Sequence, residues 1–309
     1  MTSHFFLLQR QVGFMYHSLV EDYFTGFILH CNGWTSVYCQ PSRPAFLGSA
    51  TVNLNDIFIQ QTRWNSGFIK IVFSKFCPLT YGPARMSLLQ SMCYGYHAFR
   101  PLLSMSLLCY ATIPQLCLFN GIPIYPKVSD SWFIVFAFVY VSSLCKHLSE
   151  ALSYGGSFRI WWNEQRVWLL KSVTVYLFGF LDVVLMKWIG KRGVSFVPTN
   201  KVADKEHIEL YEIGKFDFQA STMLLVPLVS FVVLNIETFI GSVGRVIIER
   251  SYDKMFGQIF LTFFILIISY PVIEGMIQRK DRGRVPTSVT LLSVIFSIVL
   301  LSLGSVVLI

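Results

Sequence analysis

Four long apolar stretches of this chain contain no Asp, Glu, Lys or Arg: residues 101–126, 218–236, 255–273 and 285–309. Each approaches or exceeds the roughly 20 residues that carry a helix across a bilayer. A fifth, 131–145 (SWFIVFAFVYVSSLC), is shorter, and residues 146–152 complete it if Lys146 reaches the interface or faces a polar groove. A chain with five such segments, 54% hydrophobic and only 14% charged, is not an ordinary soluble domain. The expectation is a multi-pass α-helical membrane protein with about five transmembrane helices.

The net charge of +8 is explained by topology. Basic residues form no stripe and no nucleic-acid module surrounds them, so no nucleic-acid partner is expected; the partner is membrane lipid. If residues 1–100 are cytosolic, the external loops hold only Lys127, Arg245, Arg250 and Lys254 of the 25 basic residues, as retention of Lys and Arg on the cytosolic side requires. Phe5 to Leu8 is too short for the apolar core of a cleavable signal, so insertion is expected to use internal segments. Seven scattered cysteines show neither a C-x-x-C pair nor zinc spacing and read as free or buried thiols.

Residues 1–98 contain no spanning stretch. Turn markers there (Gly33, Pro41, Pro44, Gly48, Gly67, Pro78, Gly82, Pro83) separate short mixed segments, which suits part of a folded cytosolic domain. Residues 99–152 are expected to hold two spans and 218–309 three. Between them, 153–217 places Trp161, Trp162 and Trp168 beside Arg159, Arg166 and Lys171, the composition of a helix lying in the headgroup zone. A sixth span is the competing reading there, disfavoured by Lys171, Asp182 and Lys187.

Chemistry is concentrated near the start. The segment VEDYFTG puts two carboxylates, Glu21 and Asp22, about forty residues before QQTRW, residues 60–64. A carboxylate can take the proton of a sugar hydroxyl as that hydroxyl attacks. A Gln amide can bond sugar hydroxyls, a Trp face can cover a sugar ring, and an Arg fork can hold a diphosphate. Singly, each motif is more often a solvated acidic pair or a helix anchored at a membrane surface. Their order and position just before a membrane bundle point to glycosyl transfer.

In these motifs the chain resembles the plant cellulose synthase superfamily of processive family 2 glycosyltransferases, whose signature is D, D-x-D, T-E-D and Q-x-x-R-W. Val20-Glu21-Asp22 matches the third element with Val in place of Thr, and Gln60 to Trp64 matches the fourth. FILHCNGWTSVYC, RPAFLGSATVNLND and WWNEQRVW also look like family segments, so the resemblance runs from about residue 12 to the end. SLVEDYFTGF, SKFCPLTYG and PQLCLFNGIPIYPKVSDSWF look most like the cellulose synthase-like G group, with the E group next.

The resemblance implies a fold in which the membrane helices follow the C-terminal remnant of an α/β glycosyltransferase domain. It implies Asp22 as catalytic base for an inverting transfer from a UDP-sugar to a glycan acceptor. Gln60, Gln61, Arg63 and Trp64 would hold the acceptor and the donor diphosphate. Phe196, Thr199 and Lys201, in FVPTNK, match the gating loop F-x-V-T-x-K, with Pro198 stiffening the position the family gives to Val. Family members use Mn²⁺ or Mg²⁺ held by D-x-D, and this chain contains no D-x-D, so no metal ligands are assigned. The chain is therefore expected to be an N-terminally truncated member with no turnover on its own. Its place is the Golgi or another endomembrane, and association with copies of itself or with other synthases is the oligomeric expectation. Alternatives are G-group transfer of a sugar to a small triterpenoid, a non-catalytic partner of a full-length synthase, or a transporter, the last without support from internal repeats. Glu237 and Glu274, within apolar segments, could face a sugar path or reach the interface; His97, His147 and His207 read as ordinary polar residues.

Overall fold

The computed structural model describes residues 14–15, 17–39, 41–43, 48, 51, 53–190 and 205–308. Among them the regular structure is helical and no strand occurs. The chain divides into two compact units, Met1–Ser104 with Val175–Tyr211, and Met105–Thr174 with Glu212–Ile309.

The first unit contains α1 (Glu21–Cys31), α2 (Leu54–Val72), the short α3 (Pro78–Tyr81), α4 (Leu88–Phe99), α9 (Leu177–Ile189) and most of α10 (Lys205–Glu212). Helix α2 starts where the Asn53 side chain accepts the backbone N–H of Asn55 at 2.8 Å, satisfying one of the donors that a helix start leaves free. Gly67, expected at a turn, lies instead in the interior of α2. A Cβ there would stand 3.0 Å from both Val20 methyls and 3.1 Å from Leu19 Cβ, so the glycine is used for close approach and not for chain reversal. Helix α2 also packs along α9, where the backbone at Gly179 lies against Asn65 and Ser66.

The second unit is built around α11 (Thr222–Ile248), which packs on α14 (Thr287–Leu308), α12 (Tyr252–Ile268) and α6 (Ile113–Phe119). Its polar side chains turn inward. Asn235 donates to Phe231 O at 2.8 Å, Thr238 to Leu234 O at 2.8 Å, and Ser297 of α14 donates to the Glu237 carboxylate. The Glu237 carboxylate is thus engaged by a helix–helix hydrogen bond within the unit. Gln258 ties three segments: its amide donates to Pro114 O at 3.0 Å and Ile122 O at 3.1 Å and accepts from Ile124 N at 3.1 Å. In hydrocarbon such groups need internal partners, because no water can supply them. Helix α7 (Ser131–Ser153) buries none of its residues; its Phe133 and Tyr140 meet Phe256, Phe260 and Phe264 of α12 edge to face.

Among the described residues, five helices are long and apolar enough to cross a membrane, Leu88–Phe119, Ser131–Ser153, Phe158–Ile189, Thr222–Ile248 and Thr287–Leu308, or six if a bent pair counts as one span. Five agrees with expectation, and Phe158–Ile189 joins the candidates. The 255–273 stretch is a pair, α12 and α13 (Tyr270–Ile277), bent by 62° at Ser269; Pro271 opens the second helix, and a proline is accommodated in a first turn. The region read as interfacial is one continuous helix, in which α8 (Phe158–Lys171) passes through a π-helical stretch, Ser172–Tyr176, into α9. The first apolar segment begins at Leu88, before Pro101, whose residue sits in the one-turn 3-10 stretch Arg100–Leu102 between α4 and α5 (Leu103–Tyr110). The loop before α14 is fastened by Arg279, whose side chain is 7% exposed. It bonds Phe216 O and the Asp281 carboxylate, while Phe218 N donates to Gly283 O at 3.0 Å. All seven cysteines are unpaired with one another.

Candidate functional site

Helix α1 begins with Glu21 and Asp22 in its first turn, and Val20 at the N-cap supplies no capping side chain. Carboxylates there offset the positive end of the helix dipole, worth about 0.3–1 kcal/mol each, which is the purely structural use of the pair. They are not equivalent. Asp22 is exposed, and its Oδ1 accepts the backbone N–H of Tyr23 at 2.7 Å; Glu21 is half-buried.

The opposite face of α1 is apolar and anchors the helix. Val20, Phe24, Phe27 and Cys31 are buried with Ile71 of α2, and Trp64 and Phe68 pack against them. The Tyr23 ring meets Phe68 edge to face at 5.0 Å and Tyr94 at 5.2 Å. With the Gly67–Val20 contact, this seats the turn of α2 from Trp64 to Phe68 on the first turns of α1. The structure therefore brings the V-E-D and Q-Q-T-R-W segments, about forty residues apart in sequence, into one packed body. Gln60 and Trp64 share a face of α2 by their spacing of four, with Arg63 beside them and 8% exposed; Gln60 and Gln61 remain half-buried. The expected gating residues Phe196, Thr199 and Lys201 lie outside the described residues.

A set of residues without an assigned role in the sequence reading fixes α1 further. The Tyr23 hydroxyl donates to Tyr94 O at 2.5 Å, the Tyr94 hydroxyl bonds His30 Nδ1 at 2.7 Å, and His30 Nε2 bonds Ser36 Oγ at 2.7 Å. Burial, with Tyr94 and Cys77 beside it, pushes the Tyr23 phenol well above its ordinary range, so it serves as a neutral donor. The signal was the FILHC segment itself, in which a histidine on the polar side of an amphipathic helix needs partners for both ring nitrogens. Of the histidines read as ordinary polar residues, His207 bonds Asn53 at 2.9 Å, His147 bonds Gln165 at 3.4 Å, and His97 lies edge-on to Tyr96.

Among the described residues, no group of three or more His, Cys, Asp or Glu is placed to hold a metal ion. Glu21 and Asp22 are successive on a helix and diverge by about 100°, so they do not converge on a common cation. The described residues do not fit the divalent ion that the resemblance implies.

The family model described as cellulose synthase matches residues 8–308. The chain is 46% identical over 274 residues to quillaic acid 3-O-glycosyltransferase CSL1 of Saponaria officinalis, covering 89% of this chain and 39% of that protein. It is 34% identical to cellulose synthase-like protein E2 of Oryza sativa subsp. japonica, covering 92% and 38%. To cellulose synthase A catalytic subunit 4 (UDP-forming) of Arabidopsis thaliana it is 33% identical, covering 93% and 27%. The chain thus spans about two fifths or less of the length of these relatives.

Proposed function

Because this chain belongs to the cellulose synthase family, we propose that it forms the base-bearing and membrane portion of an inverting hexosyltransferase that uses a UDP-sugar. The observation that carries this reading is the packing of Gly67 and Phe68 of α2 against Val20 and Tyr23 of α1, which couples the candidate base to the candidate acceptor-binding helix. Asp22, on the exposed face of an otherwise anchored helix, takes the proton of the acceptor hydroxyl. That oxygen attacks the anomeric carbon, the glycosidic bond forms, and UDP leaves with the bonding pair. Gln60, Gln61 and Trp64 orient the sugars, and Arg63 holds the diphosphate. The donor site, with the Mn²⁺ or Mg²⁺ that the resemblance implies, is assigned to the part of the relatives that this chain does not span. The gating role of Phe196, Thr199 and Lys201 rests on their motif.

The chain alone, given UDP-sugars, either cation and glycan acceptors, turns over nothing, because a base without a placed donor has no reactant to act on. Joined to the donor-binding portion of a relative, it transfers sugar, and Asp22→Asn lowers kcat by about 10²–10⁴-fold. Robust transfer by the chain alone, or an unchanged rate with Asp22→Asn, contradicts this assignment.

A second reading of the acceptor has its own support. Identity is 46% to an enzyme named for glycosylating quillaic acid and 33% to a cellulose synthase A subunit, which favours a small triterpenoid over a growing β-glycan. Product analysis with both acceptor types separates the two. The side-by-side course of α2 and α9 also supports an interfacial position for the latter. Gly179 lies at Asn65 and Lys187 at Phe73, so the helices run in the same direction, and α2 carries Asp56, Arg63, Asn65 and Lys70, too polar for hydrocarbon. An endomembrane location, Golgi or endoplasmic reticulum, and association with itself or other synthases complete the proposal.

A further inference from the structure

At the C-terminal end of α2, within the first unit, a cleft of about 370 Å³ opens between the turn that precedes α1 and the turn that follows α2. Its charged lining has one sign. Lys70 and Lys75 line it, beside the His17 ring, which burial biases toward its neutral form, and among the described residues no Asp or Glu does. Lys75 is set at the rim, its ammonium 5.0 Å from the centre of the Phe76 ring, and His17 lies edge-on to Phe24 at 5.8 Å. The Ser18 and Ser74 hydroxyls shape the walls by bonding within their own turns. The floor is apolar, formed by Leu19, Phe24, Ile71 and Phe76.

The level of this cleft can be read from the neighbouring helix. Helix α9 runs beside α2 and ends at the same height, with the Lys187 ammonium 5.2 Å from the Phe73 ring centre. It terminates at Gly190 in the left-handed conformation, with φ of 70°. Around that end Trp188 is 82% exposed, Ile189 62% and Phe73 54%. Exposed tryptophan and aliphatic side chains beside lysines at a helix end are the composition of the membrane headgroup zone.

We propose that this cleft binds the phosphate headgroup of an anionic membrane lipid. Lys70 and Lys75 pair with the phosphate, His17 adds a ring nitrogen, and the acyl chain covers Leu19 and Phe76. A soluble phosphate ester offers the same charge, but it leaves the apolar floor uncovered, so the lipid is the better match. The inference is independent of whether the chain transfers sugar.

The test is native mass spectrometry of the full chain in neutral detergent, titrated with phosphatidic acid, with phosphatidylcholine, or with glycerol 3-phosphate. Phosphatidic acid is retained and the other two are not. The double substitution Lys70→Gln with Lys75→Gln weakens retention roughly tenfold or more, from the charge worth of two lysines at a membrane surface. The Lys→Arg pair keeps it, and removing the same charge at Lys127 and Lys254 leaves it unchanged. Lys75→Gln alone, at an exposed position, weakens it about fivefold and keeps the test decisive if the double variant does not fold. Equal retention of phosphatidylcholine, equal binding of glycerol 3-phosphate, or full retention by the double-glutamine or Lys75→Gln variant overturns the proposal.

Discussion

The two units solve opposite solvation problems. In the first, rings and aliphatic groups are inside: Phe24, Phe27, Phe58 and Ile69 are buried, while Asp22 faces out. In the second, polar groups are inside: Asn235, Thr238, Gln258, Ser293 and Ser297 are buried, while Phe138, Ile240, Leu291 and Val306 are exposed. The first pattern suits water and the second suits lipid, because hydrocarbon gives no reward for hiding an apolar side chain from it and leaves unpaired polar groups costly. A polar side chain therefore means different things in the two places. On α1 Asp22 stays exposed, whereas Gln258 ties α12 to α6 and Ser297 ties α14 to α11.

Three substitutions bear on that contrast, beginning with the largest effect. Gln258→Leu should destabilise the second unit by about 2–4 kcal/mol, since three backbone groups lose an internal partner at about 0.6–1.7 kcal/mol each; reversible unfolding in mixed detergent reads it. If leucine there is neutral or stabilising, the inside of that unit behaves like an ordinary apolar core. Gly67→Val comes next, about 1–3 kcal/mol from overpacking against Val20, and in the joined enzyme it should lower transfer more than it lowers melting temperature, because it parts α1 from α2. An equal loss in both would reduce Gly67 to a packing residue.

The smallest effect concerns the loop that precedes α14. Hydrogen bonding to Arg279 holds the Asp281 carboxyl below its ordinary value of 3.8. Its contribution to stability is present above pH 3.8 and is lost as the pH falls through the depressed value. Asp281→Asn should remove that part of the acid dependence and leave the neutral-pH fold in place, as measured by proteolysis of the loop across pH 2–6 (about the carboxylate range).

Much of this was legible in the sequence. Length and the absence of charge located the spans of α7, α11 and α14, and the two motifs located α1 and α2. Hydropathy carries no record of backbone path. It marked 255–273 as a candidate span but not the 62° bend at Ser269, and it weighed Lys171, Asp182 and Lys187 against a sixth span where one continuous helix, Phe158–Ile189, is long and apolar enough to cross. Gly67 read as a turn because glycine disfavours helix interiors; only the proximity of Val20, remote in sequence, explains it. FILHC signals a histidine in need of partners, but for the same reason the rest of the Tyr23–Tyr94–His30–Ser36 chain was out of reach, since its members are scattered from residue 23 to 94 and become related only when α4 packs.

The central claim is that one of two adjacent carboxylates does chemistry while the other serves the helix. The most direct measurement compares Asp22→Asn with Glu21→Gln in the protein joined to its donor-binding portion, by single-turnover transfer from a UDP-sugar. The account predicts a rate loss of about 10²–10⁴-fold for Asp22→Asn and a change of less than about threefold for Glu21→Gln, whose share in the helix start is worth at most about 1 kcal/mol. Equal losses for the two, or full activity in Asp22→Asn, would contradict it.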